Sequence, residues 1–213
     1  MVEQVEFEGA EVGVIALDVS LDEYLEIYAA QHCEWVEGVV IRMSPAGLKH
    51  NELLNYLYSF FRYYFKLRPI GKVISQPFPV HLPAFPRRCR EPDLMIVLNA
   101  SAAEVRDTFV EGIPEICIEI VSPESGERDH GEKFIEYETG GVPEYWVLDP
   151  IRRDSRFYRL NNNKVYVPQP VDRQGNYRTP ALPELVIHIP TLWEDELPDA
   201  ETMVSAIKQM LGN

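Results

Sequence analysis

The sequence predicts an α/β or α+β fold in which a mixed β-sheet is flanked by helices, and three observations support this prediction. Residues 53–64 place leucine, phenylalanine and tyrosine side chains at helical spacing, which predicts one long amphipathic helix. Two short segments, PDLMIVL (residues 92–98) and EICIEIV (residues 115–121), are almost continuously apolar, which is typical of strands covered on both faces. A strand, a helix and a second strand follow one another over residues 115–149, which favours parallel pairing with a right-handed crossover.

The N-terminal half is predicted to contain a short helix, two strands and the long helix. Ser20, with Glu23 three positions later, forms a capping-box pattern that predicts a helix start. Residues 34–43 are β-branched and roughly alternating, and they predict two short strands that meet near Glu37. The long helix follows these strands and is expected to end at Pro69, because proline interrupts helices.

The C-terminal half is predicted to complete the sheet. Residues 72–82 contain prolines, which cannot donate to a central ladder, and they therefore predict an edge strand. Asp129, with Glu132 three positions later, predicts the start of the crossover helix, and Gly141 is a typical helix end. The remaining predicted elements are a strand over residues 144–149, a hairpin over 155–169, a strand over 184–189 and a helix over 198–211.

The length and charge of the chain limit its organisation and its partners. With 213 residues and no low-complexity linker, we expect a single domain over residues 1–213, with its core at about residues 20–190 and helical additions at both ends. The formal net charge of −14 argues against a general nucleic-acid coat protein, because phosphate binding relies on cationic surface. It leaves room for a local basic groove, and it suits a site that collects metal cations.

Three further features predict a cytoplasmic protein. No run of about 18 apolar residues is present, so no membrane span is expected. Residues 1–13 lack the basic, apolar and small-residue order of a signal peptide. Cys33, Cys89 and Cys117 are scattered without a Cys-x-x-Cys pair, which indicates neither a zinc site nor a disulfide framework, and reduced thiols fit the cytoplasm.

Two carboxylates stand within the apolar strand segments. Alternation places Asp93 on the face of Met95, and it places Glu119 on the face of Cys117. If the two strands are neighbours, Asp93 and Glu119 converge as a hard-oxygen site for Mg²⁺, to which the carbonyl of Ile120 adds an oxygen. Each acid taken alone has an ordinary alternative, because an acidic strand residue usually faces solvent or pairs with a basic side chain.

Lys133 lies near the start of the predicted crossover helix, on the same face as Tyr137. A cation there would balance the carboxylates, orient a water or stabilise a phosphorane-like transition state. A solvated helix lysine is the alternative. Two acids in apolar strands, followed by a lysine at the start of the next helix, favour a catalytic site.

The ordered segments EPD, EIVSP and RDHGEKFIEYETGGVPEYWVLDP resemble the PD-(D/E)XK nuclease superfamily. More narrowly, they are similar to its Uma-two-type restriction endonuclease family. The segment EWVEGVVIRMSPAGLKH and the long helix after it add to this similarity, which covers roughly residues 20–190.

The resemblance implies a restriction-endonuclease-like core with Asp93 and Glu119 as ligands of a divalent metal. One position departs from the superfamily pattern, since Val121 stands where a lysine is usual. In this family the lysine moves onto the following helix, which makes Lys133 the implied catalytic lysine.

Two supporting residues are predicted. Glu37 alternates with Val39 and Ile41, so we expect it to face inward, and the resemblance makes it a third acidic member of the site. A surface glutamate beside a turn is the alternative. His50 extends the apolar stripe of the long helix and is expected to hold Glu37 or a substrate phosphate, although a structural histidine is the alternative.

These patterns lead to the hypothesis of an Mg²⁺- or Mn²⁺-dependent endonuclease that hydrolyses phosphodiester bonds in nucleic acid, with DNA as the expected substrate. The predicted catalytic residues are Asp93, Glu119, Lys133, Glu37 and His50, and the predicted metal ligands are Asp93, Glu119 and the Ile120 carbonyl.

Two alternative functions and one assembly stay open at this point. The acidic composition and the missing strand lysine favour a catalytically inactive nuclease-fold module that binds nucleic acid or a protein partner. A hydrolase of another phosphoester would use the same ligands. The aromatic run NYLYSFFRYYF in the long helix suggests a homodimer, if one core cannot bury all of these rings.

Overall fold

The computed structural model describes residues 13–122 and 131–212, and within these ranges the chain has a mixed α+β fold. The fold class predicted from the sequence is therefore confirmed. The strands, in chain order, are β1 (Gly13–Ala16), β2 (Cys33–Val36), β3 (Val39–Arg42), β4 (Gly71–Ser75), β5 (Val80–His81), β6 (Arg88–Arg90), β7 (Leu94–Leu98), β8 (Glu104–Val105), β9 (Val110–Glu111), β10 (Ile116–Ile120), β11 (Glu144–Asp149), β12 (Asp154–Leu160), β13 (Tyr166–Gln169), β14 (Asn176–Tyr177) and β15 (Ile187–His188).

The helices agree with the predicted order. Ser20 caps the first helix through a hydrogen bond from the Glu23 N–H, as the capping box predicts. None of the helices in the described ranges combines the length and the apolarity needed to cross a membrane. The helices are α1 (Leu21–Glu23), which continues into a π-helical turn (Tyr24–Tyr28), α2 (Leu48–Leu67), α3 (Glu132–Gly140) and α4 (Ala200–Met210), with a 3-10 turn at Ile189–Trp193.

The candidate site depends on a sheet of six strands in the described residues, here called sheet I, with the order β13-β12-β11-β10-β7-β4. β10 pairs in parallel with β11, with Ile118 opposite Trp146, and it pairs antiparallel with β7, with Ile118 opposite Leu94. Sheet I is therefore mixed. The two apolar segments are neighbouring central strands, and the predicted parallel pairing is confirmed.

Both faces of sheet I are covered by apolar side chains. On one face, Ile96 of β7 and Ile118 of β10 pack with the apolar stripe of α2 and with α4. On the other face, Met95 and Cys117 pack with Tyr137 of α3. This double burial explains the almost continuous apolar sequence of β7 and β10. It also means that a charged side chain on these strands needs a partner within the protein.

A second sheet, sheet II, has the order β1-β3-β2-β6-β5-β9-β8 in the described ranges. β6 ends at Arg90 in sheet II and β7 begins at Leu94 in sheet I, so residues 91–93 carry the chain from one sheet to the other. The EPD segment therefore lies where the two sheets meet, and its Glu91 and Asp93 are buried.

Some predicted features differ from the structure or fall outside the described residues. The segment over residues 72–82 forms two strands rather than one, because β4 is an edge of sheet I while β5 belongs to sheet II. Pro77 and Pro79 stand between them and cannot donate to a ladder. The expected N-cap Asp129 lies outside the described residues, whereas Gly141 ends α3 with a φ of 84°, as predicted.

Candidate active site

Asp93 and Glu119 lie at the edge of sheet I where β7 begins and β10 ends. The antiparallel register places Leu94 opposite Ile118, and continuing it by one residue places Asp93 opposite Glu119. Strand alternation puts both side chains on the face of Met95 and Cys117. The two acids are therefore cross-strand neighbours on one face.

Asp93 is held by a histidine and by the main chain of β10. Nε2 of His50 lies 3.0 Å from Oδ1, and the N–H of Ile120 donates to Oδ2 at 2.6 Å. His50 is buried in the first turn of α2, and its Nδ1 has no hydrogen-bond partner among the described residues. The structure thus pairs His50 with Asp93, and the expected contact with Glu37 is wrong.

Ile120 presents its main chain to the same edge. Its N–H points toward Asp93, whereas the N–H of Val121 points the other way and donates to the Leu148 carbonyl at 2.8 Å. Because the N–H and C=O of one strand residue point to the same side, the Ile120 carbonyl faces the edge where Asp93 lies. This orientation is the one that a ligand role for that carbonyl requires.

Lys133 reaches the acids from the start of α3. Its Nζ lies 2.9 Å from Oε1 of Glu119 and 3.4 Å from the carbonyl of Glu91. Tyr137, one turn later, donates its hydroxyl to the same Glu119 oxygen at 3.1 Å. Burial and the Glu119 carboxylate raise the pKa of Tyr137, so the phenol keeps its proton. Glu119 is therefore compensated by an ammonium and a hydroxyl, and Lys133 is a buried lysine rather than a solvated one.

A further acid, Glu34 of β2, also contacts Lys133. Its Oε1 lies 3.3 Å from Nζ, and its Oε2 accepts a hydrogen bond from Nη1 of Arg90 at 2.8 Å. Arg90 also donates to both carboxylate oxygens of Glu136, at 2.6 Å each. We call Glu34, Arg90, Glu136, Lys133 and Glu119 the ion network, which joins β2 and β6 of sheet II to α3 and β10.

The sequence interpretation did not single out Glu34. The signal that would have found it is the one that marked Glu119, because Glu34 stands between Cys33 and Trp35 in a buried strand. A carboxylate in such a position needs a partner, as it does in β10.

Glu91, the first residue of the EPD segment, was also missed. Its Oε1 is hydrogen-bonded to Nδ1 of His32, and its Oε2 has no hydrogen-bond partner among the described residues. Burial raises the pKa of Glu91, and the hydrogen bond to Glu91 raises the pKa of His32. Both shifts favour proton retention by this pair as the pH rises.

Glu37 lies at the turn between β2 and β3, and its carboxylate is half exposed (51%). It accepts a hydrogen bond from Nε of Arg87 at 2.7 Å, and this contact lowers the pKa of Glu37. The inward orientation expected from strand alternation is wrong. The reason is the backbone, because Glu37 has a φ of 52° and has left the extended conformation on which alternation depends.

The donors at this edge of sheet I fit Mg²⁺ or Mn²⁺. Two carboxylates and a main-chain carbonyl are hard oxygens, the type of ligand that these ions take in proteins. In residues 13–122 and 131–212, no three or more His, Cys, Asp and Glu side chains are grouped as a metal site. The hard-oxygen donors that the structure brings to this edge are Asp93, Glu119 and the Ile120 carbonyl.

Comparison with known proteins agrees with this architecture. The chain is similar to a solved structure described as "a putative nuclease belonging to DUF820" from Anabaena variabilis ATCC 29413, with a TM-score of 0.65, 18% identity, and coverage of 82% of this chain and 97% of that chain. This likeness confirms the predicted nuclease-type fold. No curated protein matches the sequence. Residues 21–190 match the model of the Uma2 family, described as "Putative restriction endonuclease". Because this match spans most of the chain, the protein belongs to the Uma2 family.

Proposed function

We propose that this protein is a divalent-metal-dependent endonuclease that hydrolyses phosphodiester bonds in nucleic acid, with DNA as the substrate. The observation that carries the proposal is the position of the Lys133 ammonium, 2.9 Å from the Glu119 carboxylate. Glu119 lies on β10, and Asp93 immediately precedes the neighbouring strand β7. Two acids and a lysine at the edge of a mixed sheet form a combination suited to phosphoryl chemistry. Membership of the Uma2 family supports the same activity.

Each side chain has a distinct role in this proposal. Asp93 and Glu119, with the Ile120 carbonyl, would hold the metal. A bound Mg²⁺ or Mn²⁺ lowers the pKa of a bound water and screens the charge of the scissile phosphate. Lys133 stabilises the negative charge that develops on the phosphate oxygens as water attacks in line and the P–O bond to the leaving group breaks. Glu37 has no role in this proposal, because its carboxylate pairs with Arg87 at the surface.

His50 is assigned a positioning role. It lies 3.0 Å from Oδ1 of Asp93, while the Ile120 N–H is bonded to Oδ2, so the carboxylate is fixed from two sides. A fixed carboxylate presents its oxygens in one orientation, which a divalent ion with strict geometry needs.

The test is cleavage of plasmid DNA and of labelled oligonucleotides in Mg²⁺ and in Mn²⁺. We expect Asp93→Ala, Glu119→Gln and Lys133→Ala each to reduce the rate by about 100-fold or more. Glu52→Gln is the control, since Glu52 is exposed on α2 near His50. Equal residual cleavage by the wild type and the three site variants would refute the assignment. Matched RNA, single-stranded DNA and duplex DNA substrates identify the preferred nucleic acid.

A second candidate function is a non-catalytic module that binds nucleic acid or a protein partner. It is favoured by the position of Val121, whose buried side chain stands where the superfamily lysine is usual. Metal titration separates the two candidates. A catalytic site should bind Mn²⁺ in a manner that Glu119→Gln abolishes, whereas a binding module has no need of Mn²⁺.

A homodimer and a cytoplasmic location also belong to the proposal. The aromatic run of α2 suggested a dimer, but the structure weakens that argument. Four of its rings are buried within one chain, namely Phe60, Phe61, Tyr64 and Phe65. A molecular mass that stays monomeric at micromolar concentration would exclude a stable dimer.

The cytoplasmic location is supported by the buried free thiols of Cys33, Cys89 and Cys117.

A further inference from the structure

We infer that Glu34 is a positioning residue for Lys133, and that it holds the lysine ammonium in the site when a cation occupies Glu119. This inference deepens the proposed function and rests on its metal site. It concerns a residue of sheet II, outside the strands that carry Asp93 and Glu119.

The first step is the geometry around the ammonium. Nζ of Lys133 lies between two carboxylates, 2.9 Å from Oε1 of Glu119 and 3.3 Å from Oε1 of Glu34. Both acids and the lysine are almost fully buried. A divalent cation bound to Glu119 would compete with the ammonium for that carboxylate. Glu34 then provides a second anionic contact within hydrogen-bond range, so the ammonium has a partner without leaving the site.

The second step is what keeps Glu34 anionic and in place. Its other oxygen accepts a hydrogen bond from Arg90 at 2.8 Å, and a guanidinium is always protonated in proteins. The N–H of Glu91 also donates to Oε1 of Glu34, at 3.3 Å. Glu34 is therefore a fixed carboxylate with one oxygen on Arg90 and the other on Lys133.

The third step is why a lysine on a helix needs such an anchor. A lysine side chain has four flexible carbons and loses considerable rotamer freedom when its ammonium is confined to one position. The superfamily strand position is occupied by Val121, so the ammonium has to come from α3. Contacts with Glu34 from one sheet and Glu119 from the other confine Nζ at the place where the phosphate charge would develop.

The experiment measures Mn²⁺ affinity by electron paramagnetic resonance in a double-mutant cycle of Glu34→Gln and Lys133→Met. Without the charge of Glu34, the ammonium depends more on Glu119 and competes more strongly with the metal for that carboxylate. We expect Glu34→Gln to weaken Mn²⁺ binding by about tenfold, which is a usual size for coupled contacting residues. In the Lys133→Met background, the same change should alter Mn²⁺ affinity by less than about twofold.

Glu136→Gln is the matched control. Glu136 is another buried carboxylate that is bonded to Arg90, so this variant removes one negative charge from the ion network, as Glu34→Gln does. We expect it to reduce stability but to change Mn²⁺ affinity by less than about twofold. Activity gives a second readout, in which Glu34→Gln lowers kcat in Mg²⁺ by about tenfold or more while KM for the oligonucleotide stays within about threefold.

Equal weakening of Mn²⁺ binding by Glu34→Gln with and without Lys133 would overturn the inference, as would no weakening at all. Either result leaves the proposed nuclease intact if the wild type binds Mn²⁺ and cleaves. Failure of the wild type to bind Mn²⁺ would overturn both proposals. Coupling of Glu34 to Lys133 in a protein that cleaves no nucleic acid would support the inference and refute the nuclease.

Discussion

At the scale of single residues, the candidate site is a group of buried charges that satisfy one another. Glu119 and Lys133 are each nearly inaccessible to solvent, and either charge alone in this apolar surrounding would be costly. Val121 occupies the strand position where the superfamily lysine is usual. Its side chain packs among Cys117, Tyr137 and Tyr145, where an ammonium would meet apolar groups.

Replacing the lysine should therefore reduce both activity and stability. Lys133→Met keeps most of the side-chain volume but leaves Glu119 and Glu34 facing each other without the ammonium. We expect the free energy of unfolding to fall by about 3 to 5 kcal/mol, the usual result of removing one partner of a buried pair. Urea unfolding followed by fluorescence measures it. Lys208→Met, at an exposed position on α4, is the control and should change stability by less than about 0.5 kcal/mol.

The His32–Glu91 pair should give stability a defined dependence on pH. The hydrogen bond to Glu91 raises the pKa of His32 above its ordinary value. A raised histidine pKa contributes stability that is fully present below the unfolded-state pKa of about 6.5, and this contribution is lost as the pH rises through the folded-state value. We expect His32→Gln to cost about 1 kcal/mol at pH 6 and progressively less toward pH 9.

Unfolding of the wild type and of His32→Gln in urea and EDTA at several pH values checks this trend. A destabilisation that grows as the pH rises would contradict it, because the protonated histidine would then not be the stabilising form.

Side-chain alternation along a strand predicted the positions of candidate-site residues where the backbone is extended. It failed where the backbone departs from the extended conformation. Asp93 and Glu119 were placed on one face by alternation along two regular strands. Glu37 was misplaced because its φ of 52° breaks the alternation. Glu34 reaches Lys133 from another sheet, and a contact of that kind depends on how sheets pack rather than on local spacing.

At the scale of elements, the close pairing of β4 with β7 depends on a glycine. A Cβ atom at Gly71 would lie 2.7 Å from the Val97 carbonyl oxygen and 2.9 Å from the Leu98 Cα. Both are backbone atoms of β7, so the strands would have to move apart. Asp93 immediately precedes β7, which links this contact to the candidate site.

Gly71→Ala should consequently destabilise the protein by about 1 to 3 kcal/mol, the range found for overpacking. Gly13→Ala is the matched control, because nothing lies within 4 Å of a Cβ atom placed there. Denaturant midpoints of the two variants measure the difference. Equal midpoints for both variants would contradict the close approach of β4 and β7.

Long elements were predicted well because they carry enough periodic residues to reveal their type. α2 has 20 residues and its buried positions recur at helical spacing, while β7 and β10 are almost continuously apolar. The two-residue strands β5, β8 and β9 are too short for alternation to be visible. They form by pairing with other strands of sheet II, β5 with β6 and β9, and β8 with β9.

At the scale of the whole molecule, the two sheets are joined by an apolar cluster and by the ion network. Val80 and Val110 of sheet II pack in one cluster with Met95 and Cys117 of sheet I. Arg90 crosses the same boundary, from β6 to Glu136 on α3. The single domain expected from the sequence remains a prediction, and these connections indicate that the sheets unfold together.

Hydrogen exchange tests this cooperativity. Amides of β2 and β3 report on sheet II, and amides of β10 and β11 report on sheet I. We expect the most protected amides of both pairs to open with free energies that agree within about 1 kcal/mol, since they would exchange through the same global unfolding. Arg90→Met should lower the protection of β2 and β3 by about 3 kcal/mol or more, because it removes a guanidinium that is bonded to two buried carboxylates, Glu34 and Glu136. In contrast, a wild type in which β2 and β3 open several kcal/mol more easily than β10 and β11 would identify two separate units. The ion network would then be a contact between domains rather than part of one core.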